Sequence, residues 1–156
     1  MMIRNAKKTD IPALFTLLQQ VLTVHADKRP DVFKAGSTKY TVKELEELLN
    51  NPRTPVFVFV DEKDCVQGYA FCQYVSIENN NILQSTSYLY LDDLCVDEKH
   101  RKQGIGKALL SHVIEQAKQN GCSSLRLNVW SLNESAMRFY EQSGFAPLSL
   151  KMEKKL

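Results

Sequence analysis

The 156-residue sequence predicts a mixed-sheet α/β domain, and three observations carry that prediction. From Val56 to Val96 the chain is rich in aromatic and β-branched residues and is broken only by polar turns, the pattern of an antiparallel meander. After Val96 the order becomes helix, strand, helix, strand, which requires helices packed on a sheet. Joining the two halves, the stretch from Tyr88 to Lys118 (YLYLDDLCVDEKHRKQGIGKALLSHVIEQAK) runs from a strand through a basic glycine-containing loop into an amphipathic helix.

The elements follow in order. Met1 to Asn5 reads as a short first strand. Thr9-Asp10 offers an N-cap, Pro12 is tolerated in the first turn, and Ile11, Leu14, Phe15, Leu18, Val21 and Leu22 recur at helical spacing. This helix fades near His25–Arg29, where Arg29-Pro30-Asp31 breaks it. Val32–Tyr40, with Gly36 and small polar residues, reads as a loop. Thr41 and Glu44 form a capping-box pattern for a helix over Val42–Asn50, which ends at Asn50-Asn51-Pro52.

Val56–Val60 is an unbroken apolar run, Asp61–Asp64 a turn, and Val66–Ile77 a longer strand. Glu78–Asn81 is a polar turn, and Ile82–Val96 returns as the next strand. The helix Gly104–Gln119 places Ile105, Leu109, Val113 and Ala117 on one face and stops at Asn120-Gly121. Leu125–Trp130 is then a strand, Asn133–Gln142 a helix stopped by Ser143-Gly144, and Phe145–Met152 a final strand. No repeat, low-complexity tract or linker divides the chain, so residues 1–156 are expected to form one domain.

Composition excludes several functions. A net charge of +2 is too small for an electrostatic nucleic-acid or membrane-surface footprint. The apolar run Val56–Val60 falls far short of the ~20 residues a bilayer span needs. Early charges at Arg4, Lys7, Lys8 and Asp10 leave no apolar signal-peptide core, which points to the cytoplasm. Cys65, Cys72, Cys95 and Cys122 are widely spaced, so reduced, mostly buried thiols are expected, with no disulfide and no cysteine-based zinc site.

The strand–loop–helix junction has a chemical use. The first N–H groups of a helix lack partners, its dipole is positive there, and glycines let a phosphate approach the backbone. Arg101–Lys107 is therefore an expected anion site for a phosphorylated cofactor. It is not a Walker A loop, because Arg101 and Ala108 stand where glycine and Ser/Thr are needed. Nor is it a dinucleotide fingerprint starting at Gly104, because Leu109 replaces the required small residue.

R-x-x-G-x-G opening a helix is followed downstream by Asn133-Glu134-Ser135-Ala136-Met137-Arg138-Phe139-Tyr140-Glu141-Gln142-Ser143-Gly144-Phe145. Together with Leu91–Val96, these segments resemble the GNAT superfamily of acetyl-CoA-dependent N-acetyltransferases over roughly residues 88–150. The resemblance implies that family's fold, a central mixed, mostly antiparallel, splayed β-sheet flanked by helices. It also implies acetyl-CoA as cosubstrate, no metal, and direct transfer of the acetyl group to a primary amine. The amine could be a small molecule, a peptide N-terminus or a lysine, and a homodimer through the final strand is compatible with the family.

Roles follow from the resemblance. Backbone groups of Arg101, Lys102, Gln103, Gly104, Ile105, Gly106 and Lys107 would cradle the CoA pyrophosphate. Main-chain groups of Leu94, Cys95 and Val96 would pair with the pantetheine arm. Asn133 would hydrogen-bond that arm, and Ala136, Phe139 and Tyr140 would line its path. Tyr140 matches the family's general acid, and Asp92 or Asp93, with Asp92 preferred, would serve as base. Asp92-Asp93 would also mark a bulge where the fourth and fifth strands part. His25, Arg29 and Asp31 fall in the segment that shapes an acceptor site. Two other functions stay open at this point: a non-catalytic acyl-CoA-binding module, and a nucleotide-binding protein using the same loop.

Overall fold

The computed structural model describes residues 1–156. Five strands form one sheet in the order β1-β2-β3-β4-β5: β1 Met2–Asn5, β2 Val56–Val60, β3 Val66–Ile77, β4 Thr86–Val96 and β5 Ser124–Leu127. The first four are antiparallel to their neighbours, and β5 alone runs parallel to β4. The mixed, mostly antiparallel sheet is thus the one the sequence predicts.

Alternation along the strands supplies both faces. Val56, Val58 and Val60 of β2 point to one side with Tyr69 and Phe71 of β3. There they meet helix α1 (Ile11–Lys28) through Ile11, Leu14, Leu17 and Leu18, and helix α2 (Val42–Asn50) through Leu45. Phe57, Ala70, Cys72, Leu89 and Leu91 point to the other side. They pack on helix α3 (Ile105–Gln119) through Ile105, Leu109, Leu110, Val113 and Ala117, with Phe139 and Tyr140 of helix α4 (Glu134–Gln142) against the same layer. Fully burying one such Leu or Phe stabilises the fold by roughly 1.5–3 kcal/mol.

The helix signals act as expected. Glu44 N–H donates to Thr41 Oγ1 at 3.2 Å, while Thr41 N–H donates to Glu44 Oε2 at 2.7 Å. Asn133 Oδ1 accepts from Ala136 N–H at 3.4 Å at the start of α4. Asp10 differs: its carboxylate is drawn to the Arg4 guanidinium, with bonds of 2.7 and 3.0 Å, and accepts from Lys7 N–H at 2.7 Å. A short 3-10 turn over Lys8–Asp10 therefore precedes α1.

Four boundaries correct the sequence reading. β4 begins at Thr86 rather than Ile82, because Asn80 Oδ1 accepts from Ile82 and Leu83 N–H and prolongs the turn. α3 begins at Ile105, with Gly104 as its left-handed N-cap at φ +82°. β5 ends at Leu127, where its pairing to β4 stops. The expected strand Phe145–Met152 does not form. Its period-two apolar pattern is real, but no strand of the chain pairs with it, and Leu148, Leu150 and Met152 are exposed. The tail is held by ion pairs instead, Arg29 to Glu153 at 3.5 Å and Lys155 to Asp31 at 3.1 Å.

Candidate active site

The pairing of β3 with β4 shifts between Phe71 and Cys72: Cys72 faces Leu91, while Phe71 faces Asp93. Asp92 is the extra residue, a β-bulge. One added residue reverses which face each later side chain takes. Leu89 and Leu91 lie on the α3 side, but Asp93 and Cys95 turn to the α1 side, returning Leu94 and Val96 to α3. The adjacent aspartates thereby come to share one environment, which strict alternation would have prevented. Immediately beyond, the sheet opens: β4 and β5 pair only from Tyr88–Ser124 to Leu91–Leu127. Residues Asp93–Val96 keep their β3 partners, and from Asp92 onward β4 has no partner on the β5 side.

Around the aspartates the chain gathers side chains distant in sequence. Tyr69 hydroxyl donates to Asp93 Oδ2 at 3.2 Å. Tyr40 hydroxyl and Lys39 Nζ both donate to Asp92 Oδ2, at 3.0 and 2.8 Å. Lys39 Nζ also lies 3.6 Å from Asp93 Oδ2. The Asp93 side chain is only 12% exposed. Burial raises its affinity for a proton; the Lys39 charge opposes this and the Asp92 charge adds to it, and the net shift is upward. Burial works against the charged form of Lys39, yet Asp93 and Asp92 outweigh it and hold Lys39 above its ordinary range. Tyr40 is pushed up to about 12, mainly by burial. His25 is shifted down by burial, against the pull of the Asp93 carboxylate.

On the opposite side, Arg101 Nε donates to Val96 carbonyl at 3.2 Å, folding the loop back onto β4. Lys102 at φ +63° and Gly104 at φ +82° turn the chain into α3. Gly104 brings no side chain with which to cap the helix, so the first N–H groups of α3 face outward from the turn. A Cβ placed on Gly106 would lie 3.6 Å from Val96, 3.8 Å from Phe139 and 3.9 Å from Leu94. The loop, the free edge of β4 and α4 thus converge within van der Waals reach around one hydrogen-only position. Lys102, Gln103 and Lys107 are solvent-facing.

Tyr140 packs edge-on to Phe139 at 5.2 Å and to Phe145 at 5.5 Å. Burial, reinforced by the nearby Asp93 charge, holds its phenol well above the ordinary tyrosine range, so it stays protonated. Asn133 keeps its side-chain oxygen on the α4 cap, and Ala136 supplies the N–H it holds. The sequence-predicted residues Leu94, Val96, Gly106, Phe139 and Tyr140 gather on the α3 side of β4, while Asp92 and Asp93 lie on its α1 side at the same stretch, near enough for the Asp93 charge to act on Tyr140. Cys95 enters the set by its main chain only: its thiol is turned beneath α1, bonds Leu17 carbonyl at 3.7 Å, and is pushed up to about 12 by burial.

Lys39, Tyr40 and Tyr69 were not legible as site residues. They stand 53, 52 and 24 residues from the aspartates they touch, and no spacing rule links them. Elsewhere, His112 packs edge-on to Phe57 at 4.7 Å, and Trp130 sits half-exposed beside Phe33 and Arg29. No three His, Cys, Asp or Glu side chains are grouped to hold a metal ion, and no helix is long and apolar enough to cross a membrane.

Comparison with known proteins identifies the family. The model of the acetyltransferase (GNAT) family matches residues 18–145. Thialysine N-epsilon-acetyltransferase of Bos taurus is 31% identical over 160 residues, spanning 95% of this chain and 85% of that protein. The ribosomal protein bS18 alanine N-acetyltransferase of Escherichia coli is 26% identical over 143 residues, 92% of this chain and 79% of that one. A crystal structure of a mutant BH1408 protein from Bacillus halodurans superposes with a TM-score of 0.96 at 28% identity, over 100% of this chain and 99% of that one. The family model, the relatives and the fold agree: the chain belongs to the GNAT family of acetyltransferases.

Proposed function

We propose that residues 1–156 act as one N-acetyltransferase domain that moves an acetyl group from acetyl-CoA to a primary amine, by direct attack in a ternary complex. The observation that carries this reading is the end of β4–β5 pairing after Leu91, next to the bulged Asp92-Asp93 pair, with the glycine-capped start of α3 and the Phe139–Tyr140 pair of α4 packed against the following stretch of β4. Backbone N–H groups from Arg101 to Lys107 would hold the pyrophosphate, and the edge of β4 at Leu94–Val96 that β5 leaves unpaired would hold the pantetheine arm. Ala136 and Phe139 flank that arm, and the Asn133 amide nitrogen, unused by the cap, can donate to it. The bound cosubstrate supplies a thioester carbonyl open to attack.

The chain's own residues then handle protons. An alkyl ammonium titrates near ~10 and must lose a proton before it can attack. The base is assigned to Asp93 rather than to the Asp92 that the sequence favoured, because burial raises the proton affinity of Asp93; Asp92, which already accepts from the Lys39 ammonium, would hold the cation in place. Tyr140 stays protonated and donates to the departing sulfur, a contribution typically worth ~10²–10⁴ in rate. A backbone N–H freed at the Asp92 bulge would stabilise the oxyanion, and losing such a donor typically costs about 3 kcal/mol. The 31% identical relative that acts on thialysine, an amine, supports a small amine acceptor.

A thermal-shift panel with acetyl-CoA, CoA, ATP and NAD tests the cosubstrate. Stabilisation by the two CoA species is expected, and stabilisation by ATP alone defeats the reading. A protein that binds CoA but transfers nothing to any amine would be a binding module instead. We further propose a homodimer, in which the uncovered row Leu148, Leu150 and Met152 is buried by a second copy. Sedimentation should give twice the chain mass, reduced to one chain mass by Leu150→Asp; a wild-type monomer at all concentrations refutes it.

A further inference from the structure

The acceptor end of the proposed site already contains an ammonium group, and it belongs to the chain itself. Lys39 Nζ lies 2.8 Å from Asp92 and 3.6 Å from Asp93, and 5.4 Å from the centroid of the Tyr40 ring. Two carboxylates and an aromatic face are the groups that recognise a compact, hydrated point charge with three donors. The arrangement is electrically demanding. Asp92 and Asp93 are adjacent and alike in charge, and Asp93 is largely out of water, so the pair is poorly accommodated without a cation. Lys39 meets that demand.

Its attachment differs from that of the other groups. Asp92, Asp93 and Tyr69 are on strands of the central sheet. Lys39 comes from the stretch between α1 and α2, residues 29–41, which contains no helix or strand. That stretch is fastened at its far end by Phe33, between His25 at 5.0 Å and Trp130 at 5.1 Å. Near the aspartates it is held by the Lys39 ion pairs, the Tyr40 hydroxyl and the stacking of Tyr40 on Phe71 at 5.7 Å. Withdrawing the Lys39 side chain therefore breaks polar contacts to Asp92 and Asp93 but no sheet or helix bond.

We propose that Lys39 is an internal occupant of the acceptor-ammonium position, displaced when a cationic aliphatic primary amine enters between Asp92 and Asp93. The acceptor class follows: a primary ammonium on a slender chain, rather than a neutral or anionic molecule. Lys39 sets a threshold for entry, because the apparent affinity of any acceptor is reduced by the fraction of time Lys39 is out of the way. What happens to the amine afterwards rests on the acetyl-transfer reading; the displacement does not.

The test uses the full chain without acetyl-CoA and n-butylammonium as probe, with n-butanol as the uncharged control. If Lys39 holds the position about nine-tenths of the time, Lys39→Met and Lys39→Gln should bind n-butylammonium roughly tenfold more tightly than wild type. In the wild-type protein, the 15N resonance of the Lys39 ammonium, assigned by its loss in Lys39→Arg, should move to the position of solvent-exposed lysines as n-butylammonium saturates. Equal or weaker binding by both variants overturns the proposal, and so does an unmoved Lys39 resonance at saturation. The wild-type measurement decides the matter if the variants fold poorly. Butylammonium binding that persists when no amine is ever acetylated would defeat acetyl transfer and leave the displacement standing.

Discussion

Replacing Tyr140 with phenylalanine removes one oxygen and nothing else. The ring keeps its edge contacts with Phe139 at 5.2 Å and Phe145 at 5.5 Å, so the stability change should stay within about 1 kcal/mol. Backbone elements that would bind acetyl-CoA, the α3 N-terminus and the β4 edge, are untouched. Turnover should respond differently. A proton donor typically contributes ~10²–10⁴ in rate, or about 3–5 kcal/mol of barrier at 1.36 kcal/mol per factor of ten. Because burial and the Asp93 charge keep the phenol protonated, the wild-type enzyme should show no loss of its acid as pH rises through the neutral range. The assay is initial-rate release of CoA thiol at saturating acetyl-CoA and amine, with acetyl-CoA affinity measured by calorimetry. Unchanged turnover in Tyr140→Phe, with unchanged affinity, would remove Tyr140 from the mechanism.

Three further substitutions probe the frame and the charges. Gly68→Ala should destabilise the fold by ~1–3 kcal/mol in urea titrations, because its Cβ would sit 2.8 Å from Cys95 carbonyl and 3.2–3.3 Å from Leu109 and Ile105; unaltered stability would mean that α3 is not held tightly on the sheet. Gly104→Val should cost ~1–2 kcal/mol through its positive φ rather than through a clash, and should weaken acetyl-CoA binding; unchanged affinity would move the phosphate site elsewhere. Asp93 has a raised folded-state pKa, so the folded state binds its proton more tightly than the unfolded chain does. Its contribution is therefore favourable at low pH and declines as pH rises from the ordinary Asp value through the raised one. The stability of wild type minus that of Asp93→Asn should fall over that interval, and a difference that rises with pH would refute the assignment. Turnover of Asp93→Asn should drop by ~10²–10⁴ if it is the base.

Much of the fold was legible because its signals are local. The capping box at Thr41 and Glu44, the glycine turn at Gly104 and the alternation in Val56–Val60 each act over a few residues. The tail shows the limit. Leu148, Leu150 and Met152 alternate as a strand would, but a strand exists only with a partner, and β5 stops after four residues. The candidate site divides along the same line. The loop and the Asn133–Phe145 segment are contiguous motifs, so both could be located in the sequence, and their roles were expected from a family resemblance. Asp92 and Asp93 could be named, but their common environment depends on a register shift opposite Phe71 and Cys72, which is a property of two paired strands. Lys39, Tyr40 and Tyr69 reach the site through tertiary packing alone.

The central claim is that this chain transfers acetyl groups to an amine. Its most direct measurement is an acceptor screen that follows free CoA thiol and confirms the acetylated product by mass. Stoichiometric thiol release and a mass gain of one acetyl group on a cationic primary amine are expected, with no release in its absence. Thiol release that is independent of every amine, or tight acetyl-CoA binding without any acetylated product, would contradict the claim.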